Sequence, residues 1–327
     1  MPERLPISVI VPVFNDERFI GECLNSLRKQ TIEPAEIILV DNASTDGSVR
    51  VAESLGLANL HIIRNSENLG ATAARNVALD ATAQPYAIFV DSDDFLSSDA
   101  LESGYRALAD GQCDICLLQL AKTAPDGVQI LFETPAPVAP ITGREALAMT
   151  MPTWRLHTLG LYRREAIDRA RAHFSYHGFS DDEFFSRLLF AEARCVTGSS
   201  GTYYYRTNPK PYTFARVLGQ TETHIRSARL AEERLGKSYR GGSAARNMIS
   251  RNLIGLVARA ARGEGDFREI ARLRSEARKL KSRRKPWHAH WVLADAATFV
   301  AVHLAPRRSR QRGEDFPSID VVRHRAG

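Results

Sequence analysis

The chain has 327 residues, 44% of them hydrophobic and 25% charged, which are ordinary globular proportions and exclude a wholly disordered protein. Its formal charge of +6 is unevenly spread: residues 265–327 hold fifteen Lys/Arg against seven Asp/Glu (+8), and residues 1–264 hold 29 against 31 (−2). The slightly acidic body argues against a nucleic-acid-binding face there, and no reading module for nucleic acid accompanies the basic tail.

In chain order, Ile7–Val13 is a β-branched apolar run of the kind that forms a buried parallel strand. A helical period follows through Ile20, Cys23, Leu24 and Leu27. Glu36–Val40 predicts a second strand ending at Asp41, and Asn42–Gly47 a turn whose Ser44, Thr45 and Asp46 suit the start of a helix. Leu60–Ile63 predicts a third strand, 71–83 a helix, and Tyr86–Val90 a fourth strand that stops at Asp91. This alternation reads as βαβ units around a parallel sheet. Further on, helices are predicted over 99–110, 143–150, 164–171, 182–193, 216–236 and 242–262, with strands at 114–120 and 203–206 and a Pro-rich loop at 133–140.

Four cysteines do not make a disulfide scaffold in this length, and the Cys113-x-x-Cys116 pair has no second pair to share a zinc ion. No apolar run reaches the ~18 residues that a membrane span needs. The first strand begins within a few residues of Met1, which leaves no room for a signal peptide; a reduced, cytoplasmic protein is the expectation.

Carboxylates gather where open α/β sheets bind ligands, past the carboxyl ends of strands. Asp41 follows one strand, and Asp91-Ser92-Asp93-Asp94 follows another. Acidic residues at i and i+2 can meet on a hard cation such as Mg²⁺ or Mn²⁺, or can cap a helix. There is no Walker loop and no dinucleotide fingerprint, so a metal is the more plausible partner for phosphate.

Four segments then carry a family resemblance. Ser8–Asn15, Val40–Ser48, Asn68-Leu69-Gly70 with Ala74-Arg75-Asn76, and Asp91-Ser92-Asp93 resemble, in order and spacing, the motifs of glycosyltransferase family 2. The resemblance implies a GT-A fold: α/β, with a mostly parallel central sheet flanked by helices, here followed by a C-terminal helical extension. It implies an inverting transfer from a nucleotide-diphosphate sugar, with UDP suiting Asp41 best, to a hydroxyl of a glycan or lipid-linked acceptor in surface polysaccharide synthesis. By position, Pro12, Phe14 and Asp41 line the nucleobase pocket. Arg75, Asp91 and Ser92 lie along the nucleotide-sugar, and Asp93 binds the divalent Mn²⁺ or Mg²⁺. In Ser180-Asp181-Asp182-Glu183-Phe184-Phe185, Asp182 falls on the general base, with Asp181 where the family usually has Glu. The alternative there is helix capping. Tyr205 and Arg206 either meet acceptor or diphosphate, or form a sheet edge.

The expected organisation is a catalytic domain over 1–215, with a nucleotide-sugar half at 1–97 and an acceptor half at 98–215, a helical extension over 216–264 and a basic tail over 265–327. In that tail, cations at 278–312 flank Trp287 and Trp291, a composition suited either to an anionic membrane surface, at the inner face of the cell membrane, or to a solvated linker. A nucleotidyltransferase of similar fold and a non-catalytic membrane-associated scaffold are the competing readings.

Overall fold

The computed structural model describes residues 4–109, 112–123, 129–131, 136–137, 139–150, 156–170, 181–206, 214–236 and 242–280. Four parallel strands open the fold: β1 (Leu5–Val13), β2 (Pro34–Asp41), β3 (Leu60–Arg64) and β4 (Tyr86–Phe89), in the spatial order β3-β2-β1-β4. The helices between them are α1 (Ile20–Arg28), α2 (Ser48–Ser54) and α3 (Gly70–Ala81). Alternation along β1 explains its unbroken apolar run. Leu5, Ile7, Val9, Val11 and Val13 pack with Ile20, Leu24 and Leu27 of α1, whereas Ile10 joins Ala74 and Ala78 of α3 on the opposite face. Each such fully buried Val, Leu or Ile side chain is worth about 1.5–3 kcal/mol in transfer terms.

The second half mixes directions. β5 (Phe95–Leu96), α4 (Ala100–Ala109), β6 (Ile115–Thr123), β7 (Gln129–Leu131), β8 (Ile141–Thr142), α5 (Gly143–Met149), β9 (Gly160–Arg163), α6 (Arg164–Ala170), α7 (Asp181–Glu192) and β10 (Cys195–Arg206) follow in chain order. β9 lies antiparallel between β4 and β6, and β10 runs parallel to β6 with β5 antiparallel at its far side. Gly160 is required at the start of β9: a Cβ there would strike the carbonyl of Cys116 and lie 2.8 Å from the Cα of Leu117.

The sheet order reverses between β1 and β4, so a crevice opens past their carboxyl ends. At the opposite end, Asp114 is fully buried and accepts from Arg194 (2.6–3.0 Å) and Arg169 (2.5 Å). Burial alone would raise its carboxyl, but the bonds from Arg194 and the charges of Arg169 and Arg194 hold it below the ordinary 3.8. Its stabilising contribution is therefore complete above about pH 4 and is lost as pH falls below that value. Asp114→Ala is expected to cost about 2–3 kcal/mol in urea denaturation at pH 7. That is less than the roughly 3–5 kcal/mol of a pair buried on both sides, because both arginines keep contact with water. The deficit should shrink at pH 3.

The cysteines depart from expectation. Cys113 is bonded to Cys195, with Cα atoms 4.4 Å apart, while Cys116 and Cys23 are free and buried. The pairing follows from the sheet: Val196 pairs with Ile115, which brings Cys195, the first residue of β10, beside Cys113 just before β6, across 82 positions of sequence. The expectation of a reduced chain is therefore overturned at Cys113 and Cys195.

The helical extension is α8 (Phe214–Leu235) and α9 (Gly242–Ala261), followed by α10 (Phe267–Arg278). α10 lies inside the segment expected to be a separate basic tail. Its Ile270, Leu273 and Ala277 recur at helical spacing and share one buried cluster with Ile225 of α8, Leu253 of α9 and Phe190 of α7. Asp266 caps it by accepting from the Arg268 amide at 2.8 Å. Most of the stretch proposed for a membrane surface, together with both of its tryptophans, lies outside the described residues. No helix among the described residues is long and apolar enough to cross a membrane.

Candidate functional site

The site forms where β1, β2 and β4 end. Pro12 and Val13 pair with Val40 and Asp41, and Phe14 leaves the strand 43% exposed. The two following loops are joined by their own polar groups. Asn15 takes φ +54° and Ala43 φ +61°, a left-handed backbone that is uncommon outside glycine. Asn15 donates its amide to Ser44 Oγ (3.0 Å) and accepts from the Thr45 amide (2.8 Å). Asp41 is buried at the base of this slot, its Oδ1 accepting from the Ser44 amide at 3.0 Å. Leu69, 45% exposed, precedes α3, whose Gly70 carbonyl is tied to Asn42 at 3.0 Å.

On the β4 side, Arg75 is nearly buried and forms an ion pair with Asp91. The Ser92 hydroxyl donates to Asp16, and the Asp16 amide donates to Ser48 Oγ at 2.8 Å, so the acidic loop is linked to the first two loops. Cys23 lies beneath it. Burial pushes that thiol far up, and Asp94, Asp91, Asp93 and Asp16 add to the effect. Asp93 is half-buried. Asp94 is 1% exposed, and burial beside Asp91 and Asp93 pushes its carboxyl up to about 8.

Arg206, at the end of β10, is not a bare sheet edge. Its Nε donates to the Asp93 carbonyl (2.8 Å) and its Nη2 to Glu22 (2.6 Å), while its guanidinium lies over Phe19. Tyr205 projects outward, 40% exposed. Tyr203 and Asp94 carry no motif, yet the Tyr203 hydroxyl donates to Asp94 and accepts from the Asp91 amide. The available signal was strand alternation, which points Tyr203 and Tyr205 to the same face and Tyr204 to the other.

A cleft beside this loop is lined by Arg75, Asp91, Phe89, Tyr162, Phe185 and Tyr203. Phe185 meets Phe89 edge-on at 5.6 Å. Asp181 and Asp182 open α7; their side chains lie outside the described residues. Position 182 is one turn before Phe185 and Ser186, both cleft-lining, and so shares their helix face. Among the described residues, no three His, Cys, Asp or Glu side chains converge as a metal site.

Together, the crevice, the acidic loop and the sheet order define an α/β protein of GT-A fold. Residues 8–169 match the family described as glycosyl transferase family 2. The uncharacterised glycosyltransferase EpsJ of Bacillus subtilis is 31% identical over 67% of this chain and 66% of its own length. A poly(ribitol-phosphate) beta-glucosyltransferase of Bacillus spizizenii is also 31% identical, over 62% of this chain and 32% of its own. Among solved structures, S. aureus TarS 1-349 in complex with UDP-GlcNAc superposes with a TM-score of 0.60 at 20% identity. That match covers 91% of this chain and 82% of the other. The chain belongs to glycosyltransferase family 2. It spans just under two thirds of EpsJ and 61% of EpsH, another Bacillus subtilis relative.

Proposed function

We propose that this chain transfers a sugar, with inversion, from a UDP-sugar to a hydroxyl of a glycan or lipid-linked acceptor in surface polysaccharide synthesis. The observation that carries the reading is the convergence at one crevice of Asp41, the Arg75–Asp91 pair and the loop 91–94. The neighbour TarS was solved with UDP and with UDP-GlcNAc, and the Bacillus spizizenii relative is named for glucosyl transfer to poly(ribitol-phosphate). These names favour sugar transfer over nucleotidyl transfer or a scaffold role.

In this reading, Phe14 and Pro12 flank the uracil and Asp41 accepts its N–H. Arg75 keeps Asp91 oriented toward the ribose, with Ser92 alongside. Asp182 takes the proton of the acceptor hydroxyl as it attacks, and Asp181 and Tyr205 contact the acceptor. A divalent ion fits the donor set, because Mg²⁺-like ions need only one or two carboxylates when substrate phosphates complete the shell. Asp93 would hold it. When bound, such an ion neutralises the charge that develops on the diphosphate leaving group. The cations of 278–312 would keep the body near an anionic membrane surface at the cytoplasmic face.

Thermal melting over a nucleotide panel tests the donor assignment. Saturation at about 100 times Kd adds about 2.7 kcal/mol to the folded state. UDP should therefore raise the melting temperature by several degrees, more than GDP or ADP does, and Asp41→Ala should lose most of that rise. A UDP shift left intact in Asp41→Ala would sink the pocket assignment.

A further inference from the structure

Asp94 and Tyr203 are the residues of the site that motif reading leaves without a role. Tyr203 is fully buried, yet its hydroxyl works in both directions: it accepts from the Asp91 amide at 3.1 Å and donates to Asp94 Oδ2 at 2.9 Å. The other oxygen of Asp94 accepts from the Arg206 amide at 2.7 Å. Arg206 then returns to the acidic loop by donating to the Asp93 carbonyl. The four contacts close a ring from Asp91 through Tyr203, Asp94 and Arg206 to Asp93.

We propose that Asp94 and Tyr203 are a positioning clamp that fixes the backbone of residues 91–93 for the donor's diphosphate. They act through Asp91, Asp93 and Arg206, without touching the donor. The inference rests on the UDP-sugar reading above and deepens it. The β5–β10 ladder, with Tyr204 opposite Phe95 and Tyr203 opposite Leu96, secures only the residues after the loop. Within the loop, the Asp94 amide donates to the Asp91 carbonyl at 3.0 Å, which sets the turn but not its angle to the crevice. The clamp supplies that angle from β10, 109 residues away. A buried carboxyl beside two others costs free energy that an apolar residue would not, and here it holds two separate backbone segments in one register.

Isothermal titration of the full chain with UDP and with UMP, both in Mn²⁺, tests this. Tyr203→Phe keeps the ring in its core position and removes only the hydroxyl. It should weaken UDP about ten-fold and leave UMP, which lacks the β-phosphate, within about two-fold. Asp94→Asn should do the same. The double variant should be no worse than the weaker single, because both changes open one ring. Equal losses for UDP and UMP would mean a merely structural role and would overturn the clamp, as would UDP binding by Tyr203→Phe within two-fold of wild type or losses that multiply in the double variant. If the wild-type chain binds neither nucleotide, the donor reading falls and the clamp with it. If the wild type binds UDP and the variants match it, the clamp alone falls.

Discussion

Asp182→Asn is expected to lower the rate constant of sugar transfer by about 10²–10⁴, the usual range for a positioned general base, with UDP affinity unchanged. A sugar hydroxyl does not ionise near neutral pH, so single displacement needs an acceptor for its proton as the new bond forms. Asparagine keeps the shape of aspartate and cannot take the proton. Position 182 suits the task by its place: the first turn of α7, on the helix face that carries Phe185 and Ser186 into the cleft. Single-turnover transfer, measured beside UDP titration, separates the proton step from donor binding. Unchanged transfer in Asp182→Asn would overturn the assignment, and a deficit found only in Asp181→Asn would move the base by one residue.

The first half of the fold was legible because β1, β2 and β4 are buried on both faces. Such strands read as β-branched runs, and β2 and β4 each lead into an aspartate at the crevice, Asp41 and Asp91. β9 was not legible. Gly160-Leu-Tyr-Arg is four residues opening on glycine, and only its pairing with both β4 and β6 makes it a strand. In β10 the strand expected from sequence covers only 203–206. The strand in fact starts at Cys195 and shifts register between Gly198 and Thr202. Its glycines are steric requirements, since a Cβ at Gly201 would lie 2.5 Å from the Cα of Ala100. The same limit applied to α10, where dense charge masked the spacing of Ile270, Leu273 and Ala277.

The site divided in the same way. Local motifs marked Asp41, Arg75 and Asp91, which the structure places around one crevice. Long-range contacts were invisible to them. The link between Arg206 and the Asp93 carbonyl spans 113 residues, and the Cys113–Cys195 bond spans 82. Motif reading stopped at Asp93 because the pattern ends there. The next carboxylate turned out to be the buried one.

That division of labour within Asp91-Ser92-Asp93-Asp94 leads to the second large effect. Asp91 is paired with Arg75, Ser92 donates to Asp16, and Asp94 is enclosed by Tyr203 and the Arg206 amide. Asp93 is held by its backbone carbonyl and carries a half-buried carboxylate. The loop is anchored on both sides of Asp93, so the residue proposed to meet a cation sits on a fixed backbone. Asp93→Asn is expected to lower sugar transfer by about 10²–10³, the cost of removing one preorganised group from a developing charge. The Mn²⁺ concentration for half-maximal UDP binding should rise at least ten-fold. The binding measurement matters because it requires no turnover. Asparagine keeps the size of the side chain and its hydrogen-bonding capacity, so a folding defect should be small and melting should stay near wild type. If chelation leaves wild-type UDP binding and transfer unchanged, the metal role of Asp93 is wrong, and Arg75 and Arg206 become the cations that meet the phosphates. Charge reversal at either arginine would then produce the loss expected here of Asp93.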